Sequence, residues 1–208
     1  MKKSQLIYQY IREQGAVSKQ DIVIGLGLSL PTITQNLNNL AELGLIDTSK
    51  KISNTGGRNA TAYSYIEKAR YAVGLYLNRH HINCVAVDLS GNVISLIRVR
   101  ENFDLNDDNY LRKIGETVEE VKKDTGLSDD RFLGVGIAVQ GLISDDGERV
   151  TYGLTLNFTG VTRADIAKYI PYHNRLFHDS AAAGYAEVWD RNDLDDAFYL
   201  SLSNSVGG

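Results

Sequence analysis

The sequence predicts an α/β protein that carries a small helical domain at its amino end, and three observations support this. Apolar residues repeat every three or four positions through the first 45 residues, as in amphipathic helices. From residue 71 onward they fall instead in β-rich runs that alternate with helical segments. The charge divides at the same place: residues 1–70 carry a net charge of +4 and residues 71–208 carry −8, against −4 for the whole chain.

The composition excludes several classes of protein. Hydrophobic residues make up 43% and charged residues 23% of the 208 positions, as in ordinary globular proteins. No apolar run approaches the ~18 residues of a membrane helix, and the charged amino terminus does not fit a signal peptide. A single cysteine, Cys84, rules out an internal disulfide and a multi-cysteine zinc site. We therefore expect a cytoplasmic protein, with His80 and His81 as turn residues rather than metal ligands.

Three helices are predicted in residues 1–44 from their apolar faces and their end signals. The first ends at Gly15, the second begins after the cap residue Ser18 and ends at Gly27, and the third follows Ser29 and ends at Gly44. Residues 45–47 and 62–66 look like short strands on either side of a basic, glycine-containing stretch. Three helices followed by a basic hairpin is the order of a winged helix-turn-helix, which we expect over residues 1–70.

The third helix has the features of a DNA-reading helix. A major groove about 12 Å wide accepts one α-helix, whose short polar side chains can reach the base edges. The candidate side chains are Ser29, Thr32, Thr34, Gln35, Asn38 and Asn39. The hairpin would add Lys50, Lys51, Gly57 and Arg58 as a wing. The same patterns also fit a solvated helix face and a solvated loop, and only their combination favours DNA.

A module of this size covers a short half-site. Useful specificity generally needs two copies on a pseudo-palindrome, so we expect double-stranded DNA as a partner and a homodimer or higher homo-oligomer.

The second part of the chain, residues 71–208, reads as an α/β lobe. Three strand-like runs separated by short turns come first, and an acidic amphipathic helix follows over residues 106–125. A continuous apolar run at residues 132–141 fits a buried strand. Residues 164–170 predict a short helix, 175–178 a short strand, 180–189 an alanine-rich helix and 197–203 another buried strand.

Three segments in order resemble a known family. Residues 28–46 (LSLPTITQNLNNLAELGLI), followed by GGRNA at 56–60, resemble the amino-terminal domain of repressors in the ROK family (repressor, open reading frame, kinase). GVGIAVQGLISDDG at 134–147 resembles the family signature GxGIxxPGxVD, with Gln140 in place of the proline, and HDSAAAGYAEVW at 178–189 resembles the NDANAAALAE helix. The subgroup is similar to xylose-repressor and N-acetylglucosamine-repressor proteins.

The resemblance implies an actin-like, ribonuclease-H-like fold from residue 71 onward, with a sugar cleft. It also implies a sugar-responsive transcriptional repressor of carbohydrate-metabolism genes. Because the family's zinc motif and further sugar ligands would fall after residue 208, we expect a fragment or a shortened form with an incomplete ROK domain.

Departures from the ROK kinases argue against enzyme activity. Kinases of the family hold ATP phosphates on a DxGGT turn, whereas Tyr76 stands here at the aspartate position and Asn78 and Arg79 at the glycine positions. The second phosphate loop, GTGIGG in the kinases, is replaced by residues 203–208. We therefore expect no phosphoryl transfer and no cofactor. The alternative is an ATP-dependent sugar kinase that carries a DNA-binding domain.

The resemblance also supplies sugar-binding candidates. Asp179 matches the catalytic base of the kinases; in a repressor it would accept a hydrogen bond from a sugar hydroxyl, or cap the following helix, or do both. His178 replaces the family's Asn beside it. Gly141, Thr155 and Asn157 are the other candidates, and ordinary turn chemistry explains them equally well.

Overall fold

The computed structural model of the chain describes residues 2–52, 60–189, 198–202 and 206–207. Two compact units result, Met1–Ala69 and Arg70–Gly208. None of the helices in these described ranges is long and apolar enough to cross a membrane.

The amino unit begins with three helices, α1 (Lys3–Gln14), α2 (Lys19–Leu26) and α3 (Leu30–Glu42). Their inner faces form one apolar core: α1 and α3 bury residues at the predicted three-to-four spacing, and α2 buries Ile22 with Val23 and Leu26 partly buried against the core. The fully buried members of that core are Ile7, Ile11, Ile22, Ile33 and Leu37.

The ends of these helices follow the predicted signals, with one difference. Ser18 and Asp21 form a reciprocal capping box, in which the Asp21 carboxylate accepts from the Ser18 backbone N–H at 2.8 Å. Gly27 adopts a left-handed conformation (φ +62°) that ends α2 and turns the chain into α3. Ser29 is the residue before α3 as predicted, but its hydroxyl lies 2.9 Å from Thr32 Oγ1 and does not cap the helix backbone.

Four short strands complete the amino unit: β1 (Ile46–Asp47), β2 (Lys51–Ile52), β3 (Ala60–Thr61) and β4 (Ser64–Tyr65). β1 pairs with β4 and β2 pairs with β3, both antiparallel. The single strand expected over residues 62–66 is therefore wrong in its bounds. The chain changes its pairing partner between β3 and β4, where Tyr63 bridges to Val17 instead.

The carboxy unit contains a five-stranded mixed sheet with neighbouring helices. In chain order its elements are β5 (Tyr71–Leu77), β6 (His81–Asp88), β7 (Val93–Arg100), α4 (Asp108–Asp124), β8 (Phe132–Val139), β9 (Leu142–Ile143), β10 (Val150–Tyr152), α5 (Arg163–Ile166), β11 (Asn174–His178), α6 (Asp179–Val188), β12 (Ser201–Leu202) and β13 (Val206–Gly207). Single 3-10 turns lie at Glu67–Ala69 and Asp129–Arg131.

The sheet order is β11-β8-β5-β6-β7. β5, β6 and β7 form the predicted antiparallel meander, and β8 and β11 add to β5 in parallel. α4 covers one face of the sheet, where the strands bury alternate residues such as Val73, Leu75, Ile82 and Ile137.

The strand predicted over residues 197–203 is largely absent from the described residues. Residues 198–200 have no regular structure and Phe198 is 85% exposed. β12 pairs only with β13, in a separate two-stranded hairpin. An apolar run fits a buried strand by pattern, but burial requires a neighbouring strand and a covering layer, which the run does not encode. Residues 197 and 203 lie outside the described residues.

Candidate functional site

The outer face of α3 is the first candidate site. Ile33, Leu37 and Leu40 are buried, which turns the opposite side of the helix to solvent. Gln35, Asn38 and Asn39 are exposed there, as the sequence predicted.

Hydrogen bonds divide the predicted α3 residues into two groups. Thr34 donates its hydroxyl to the Leu30 carbonyl at 2.8 Å, and the Ser29 and Thr32 hydroxyls bond to each other. In contrast, the side-chain amides of Gln35 and Asn38 make no hydrogen bond within the described parts of the chain. The amides are therefore available to a ligand, whereas Thr34 presents chiefly its methyl group.

The structure describes part of the predicted wing. Lys50 is exposed just before β2, and Lys51 in β2 donates its ammonium to Thr61 Oγ1 at 2.9 Å. Gly57 and Arg58 lie outside the described residues.

The second candidate site lies where three parallel strands of the carboxy unit end together. Leu77 of β5 is in register with Val139 of β8, which is in register with His178 of β11. The residues that follow these strands therefore collect at one edge of the sheet, the usual ligand position in parallel α/β sheets. We call Tyr76, Gln140, His178 and Asp179 the strand-end site.

Tyr76 connects the members of the strand-end site. Gln140 Nε2 donates to the Tyr76 hydroxyl at 3.2 Å, which joins two departures from the kinase pattern. Burial raises the pKa of Tyr76, the hydrogen bond with Gln140 lowers it, and the negative charge of Asp179 raises it again. From the sequence, Tyr76 and Gln140 were identified only as residues that replace those of the family pattern. Their hydrogen bond depends on the register of β5 and β8, in which Tyr76 lies opposite Ala138.

Asp179 is the first residue of α6, and His178 is the residue before the helix. One carboxylate oxygen accepts from the backbone N–H of Ser180 at 2.8 Å, and His178 Nδ1 lies 2.6 Å from the Ser180 hydroxyl. Asp179 is thus not the cap residue that was expected as an alternative: the residue before α6 is His178, and no side chain caps the helix from that position. The second carboxylate oxygen of Asp179 has no hydrogen bond to any described residue, so the side chain retains a free acceptor.

The other predicted sugar residues lie in the segment after β8. Gly141 is buried, and a Cβ there would lie 2.9 Å from the Tyr152 carbonyl oxygen and from Val150 Cγ1. Packing within the chain is thus sufficient to require glycine at that position. Thr155 is exposed and accepts from Arg79 Nη2 through its carbonyl at 2.7 Å, and Asn157 is exposed with φ +54°.

No hydrogen bond links Thr155 or Asn157 with the strand-end site among the described residues. Arg79, which the sequence identified only as a replaced glycine, instead ties the β5–β6 turn to this segment.

In the described ranges, no three His, Cys, Asp or Glu side chains lie close enough together to hold a metal ion. Cys84 is buried in β6, and burial raises the pKa of its thiol to about 12. The thiol is therefore protonated at neutral pH.

Comparisons with known proteins point to one family. Residues 72–208 match the profile of the ROK family. The chain is 23% identical over 167 residues to the DNA-binding transcriptional dual regulator NagC of Escherichia coli (strain K12). The identity is also 23% over 167 residues with the N-acetylglucosamine repressor of Shigella flexneri. Each alignment covers 72% of this chain but 36% of the relative, so the match spans about a third of those proteins.

A solved structure gives the same result for the fold. The ROK family transcriptional regulator described as a homolog of the E. coli MLC protein superposes with a TM-score of 0.67 at 19% identity. The match covers 90% of this chain and 48% of that one. The predicted α/β, ROK-type fold is confirmed by this similarity.

Proposed function

This chain belongs to the ROK family, and from that premise we propose that it is a sugar-responsive, DNA-binding transcriptional repressor of carbohydrate-metabolism genes. The observation that carries the proposal is that the exposed side-chain amides of Gln35 and Asn38 on α3 have no hydrogen bond to a described residue. They lie in the positively charged part of the chain, whereas the ROK part is negatively charged. The names of the related repressors support the same assignment.

In this proposal the part of α3 from Leu30 to Asn38 enters a major groove as part of a winged helix-turn-helix. Gln35 and Asn38 are suited to adenine, whose N6 and N7 atoms they bond bidentately. Thr34, with its hydroxyl held by the helix, offers a methyl group to thymine. Glu42, at the far end of the same exposed face, would be repelled by phosphates, which favours the part of α3 before it as the reading part.

The proposed wing contacts the DNA backbone and the minor groove. We assign Lys50 and Lys51 to contacts with DNA phosphates, and Gly57 and Arg58 to the minor groove from the sequence pattern. Two such units on a pseudo-palindrome give a homodimer or a higher homo-oligomer.

The strand-end site is the proposed sensor for a small sugar. One carboxylate oxygen of Asp179 has no hydrogen bond to a described residue, and Tyr76 and Gln140 carry neutral hydrogen-bonding groups at the same edge of the sheet. Such a set suits hydroxyl groups, since a carboxylate acceptor forms the stronger, charge-assisted bond. His178, Gly141, Thr155 and Asn157 are further proposed contacts.

We propose that the site does not transfer phosphate. The side-chain oxygen of Asn78 accepts from the backbone N–H groups of His80 and His81, at 3.0 and 2.9 Å. The turn that cradles phosphate in the kinases therefore has these backbone donors occupied. Phosphoryl transfer relies on such electrostatic cradling, and its loss favours sensing over catalysis. The competing function is a sugar kinase, which the position of Asp179 alone favours.

A two-step experiment tests the proposal on the full chain. DNA selected from a random pool is expected to bind tightly and to compete against unselected DNA. In the second step, pentoses, hexoses and amino sugars are screened by thermal shift, and one is expected to raise Tm by mass action. Failure of selection to enrich any sequence would contradict DNA reading. ADP release that depends on sugar and disappears in Asp179→Ala would establish the kinase instead.

A further inference from the structure

A cluster of basic side chains lies on the sheet of the carboxy unit, away from α4. His81 of β6 pairs in register with Arg100 of β7, and Asn83 pairs with Arg98. Because residues two apart on a strand point to the same face, His81, Arg98 and Arg100 share the face opposite the one that α4 covers. We call these three residues the cationic cluster.

Contacts within the cluster hold the side chains together. Arg98 Nη2 lies 3.3 Å from both ring nitrogens of His81, so the guanidinium packs against the imidazole ring rather than bonding to one nitrogen in its plane. Local burial lowers the pKa of His81, and the charges of Arg98, Arg100 and His80 lower it further. In the free protein at neutral pH the two arginines therefore carry the charge of the cluster, which is +2.

Within the described ranges, no ion pair offsets that charge. In the described parts of the chain neither Arg98 nor Arg100 forms an ion pair. Two cations held near each other without a counter-charge cost free energy, which a bound anion would relieve.

The arrangement favours side-chain recognition of the anion. Asn78 occupies the backbone N–H groups of His80 and His81, so these two amides are not available to an anion. The Cα atoms of Arg98 and Arg100 lie roughly 7 Å apart along one strand, so their long side chains can reach a single tetrahedral group. Guanidinium forks match phosphate oxygens bidentately, and an imidazole adds a third donor when it is protonated.

We propose that the cationic cluster binds the phosphate group of a small phosphate monoester. A phosphate monoester carries close to −2 at neutral pH, which matches the charge of the two arginines. Residues 71–208 carry a net charge of −8, so the cluster is a local positive site in an otherwise acidic part of the chain. This inference does not depend on DNA binding, and it differs from the backbone cradle that the kinases use.

The test is a titration of the full chain with inorganic phosphate at constant ionic strength, followed by proton NMR of the histidine ring. The chain has four histidines, and His81→Gln assigns the signal in question. Phosphate is expected to shift the His81 signal saturably and to raise the pKa of His81, while the signal of His173 stays in place. Equal shifts with sodium chloride at the same ionic strength would overturn the proposal.

Arg98→Gln is the informative variant, and it is expected to weaken phosphate binding by about tenfold or more. Arg112→Gln is the matched control, since Arg112 is an exposed arginine of the same unit that pairs with Asp108 and stacks on Tyr169. Binding that is unchanged in Arg98→Gln, or weakened equally in both variants, would contradict the assignment. Unchanged near-UV circular dichroism checks that both variants are folded.

Three further ligands identify the source of the phosphate. Ribose 5-phosphate is expected to bind at least as tightly as inorganic phosphate, and ribose alone is expected to leave the His81 signal unmoved. A shift with ribose alone would overturn phosphate recognition. A shift with a short DNA duplex, in the absence of any shift with the two small phosphates, would assign the cluster to nucleic acid and overturn the proposal.

Discussion

The two candidate sites are built in different ways. In α3 a single continuous segment places Gln35 and Asn38 on one helix face, so their arrangement follows from residue spacing alone. In the carboxy unit Tyr76, Gln140 and Asp179 come from three separate stretches, and the sheet register brings them together. A site on one helix is therefore largely determined by local sequence, whereas a strand-end site depends on every strand pairing that precedes it.

The largest expected effect is a loss of stability that distinguishes the buried face of α3 from its exposed face. Leu37→Ala removes a side chain that is 1% exposed, and we expect it to lower the free energy of unfolding by about 2–5 kcal/mol. Asn38→Ala, one position on and exposed, is expected to change stability by less than about 0.5 kcal/mol. Urea denaturation followed by circular dichroism measures both. Similar losses in the two variants would mean that α3 does not face the core as described.

Gly141 tests how tightly the segment beside the strand-end site is packed. Gly141→Ala places a Cβ 2.9 Å from a backbone carbonyl oxygen, and the expected loss is about 1–3 kcal/mol. Gly74→Ala is the matched control in β5, because the atom nearest its Cβ would be the side-chain atom Val85 Cγ1, at 3.2 Å, with the Val85 carbonyl oxygen at an ordinary contact distance of 3.9 Å. Thermal melts compare the two variants. A larger loss in Gly74→Ala would contradict the packing described for Gly141.

Gln35 tests the reading face by binding rather than by stability. Gln35→Ala is expected to cost about 1–3 kcal/mol at the selected site and to relax specificity more than it lowers affinity for random DNA. Asn36→Ala is the control, since Asn36 bonds to the Thr32 carbonyl on the flank of the helix. Gel-shift titrations at fixed salt measure both. A uniform loss across all sequences would show that Gln35 contacts phosphate.

The smallest expected effect concerns the acid stability of the carboxy unit. Hydrogen bonds from Lys168 and then Tyr169 lower the pKa of Asp108 to about 2. A lowered carboxyl pKa gives stability that is present above the ordinary value near 4 and is lost as the pH falls through about 2. Asp108→Asn should therefore reduce the pH dependence of Tm in that window. An unchanged pH profile would mean that this ion pair does not form in solution.

The sequence anticipated most of the local structure. The helix ends at Ser18 and Gly27 follow from capping chemistry, and the meander follows from alternating apolar runs and short turns. It did not anticipate the split between β3 and β4, because partner exchange is a non-local choice. It also missed the occupied hydroxyl of Thr34, since the sequence does not show whether a threonine bonds to its own helix.

For the strand-end site, resemblance supplied Asp179 but not its surroundings. The contact between Tyr76 and Gln140 requires β5 and β8 to lie side by side in a particular register, and no spacing along the chain reports that. The packing role of Gly141 was hidden for the same reason, because Val150 and Tyr152 reach it only after β10 folds back on β9. Site contacts that depend on the pairing of distant strands are therefore the ones that this sequence does not predict.

The central claim is that carbohydrate bound in the carboxy unit changes DNA binding by the amino unit. Fluorescence anisotropy of the selected DNA, measured with and without the sugar that raises Tm, tests this directly. We expect the sugar to change the dissociation constant for DNA by about fivefold or more. Asp179→Ala is expected to bind DNA normally and to lose that response. Identical DNA affinity with and without every sugar that stabilises the protein would contradict the account.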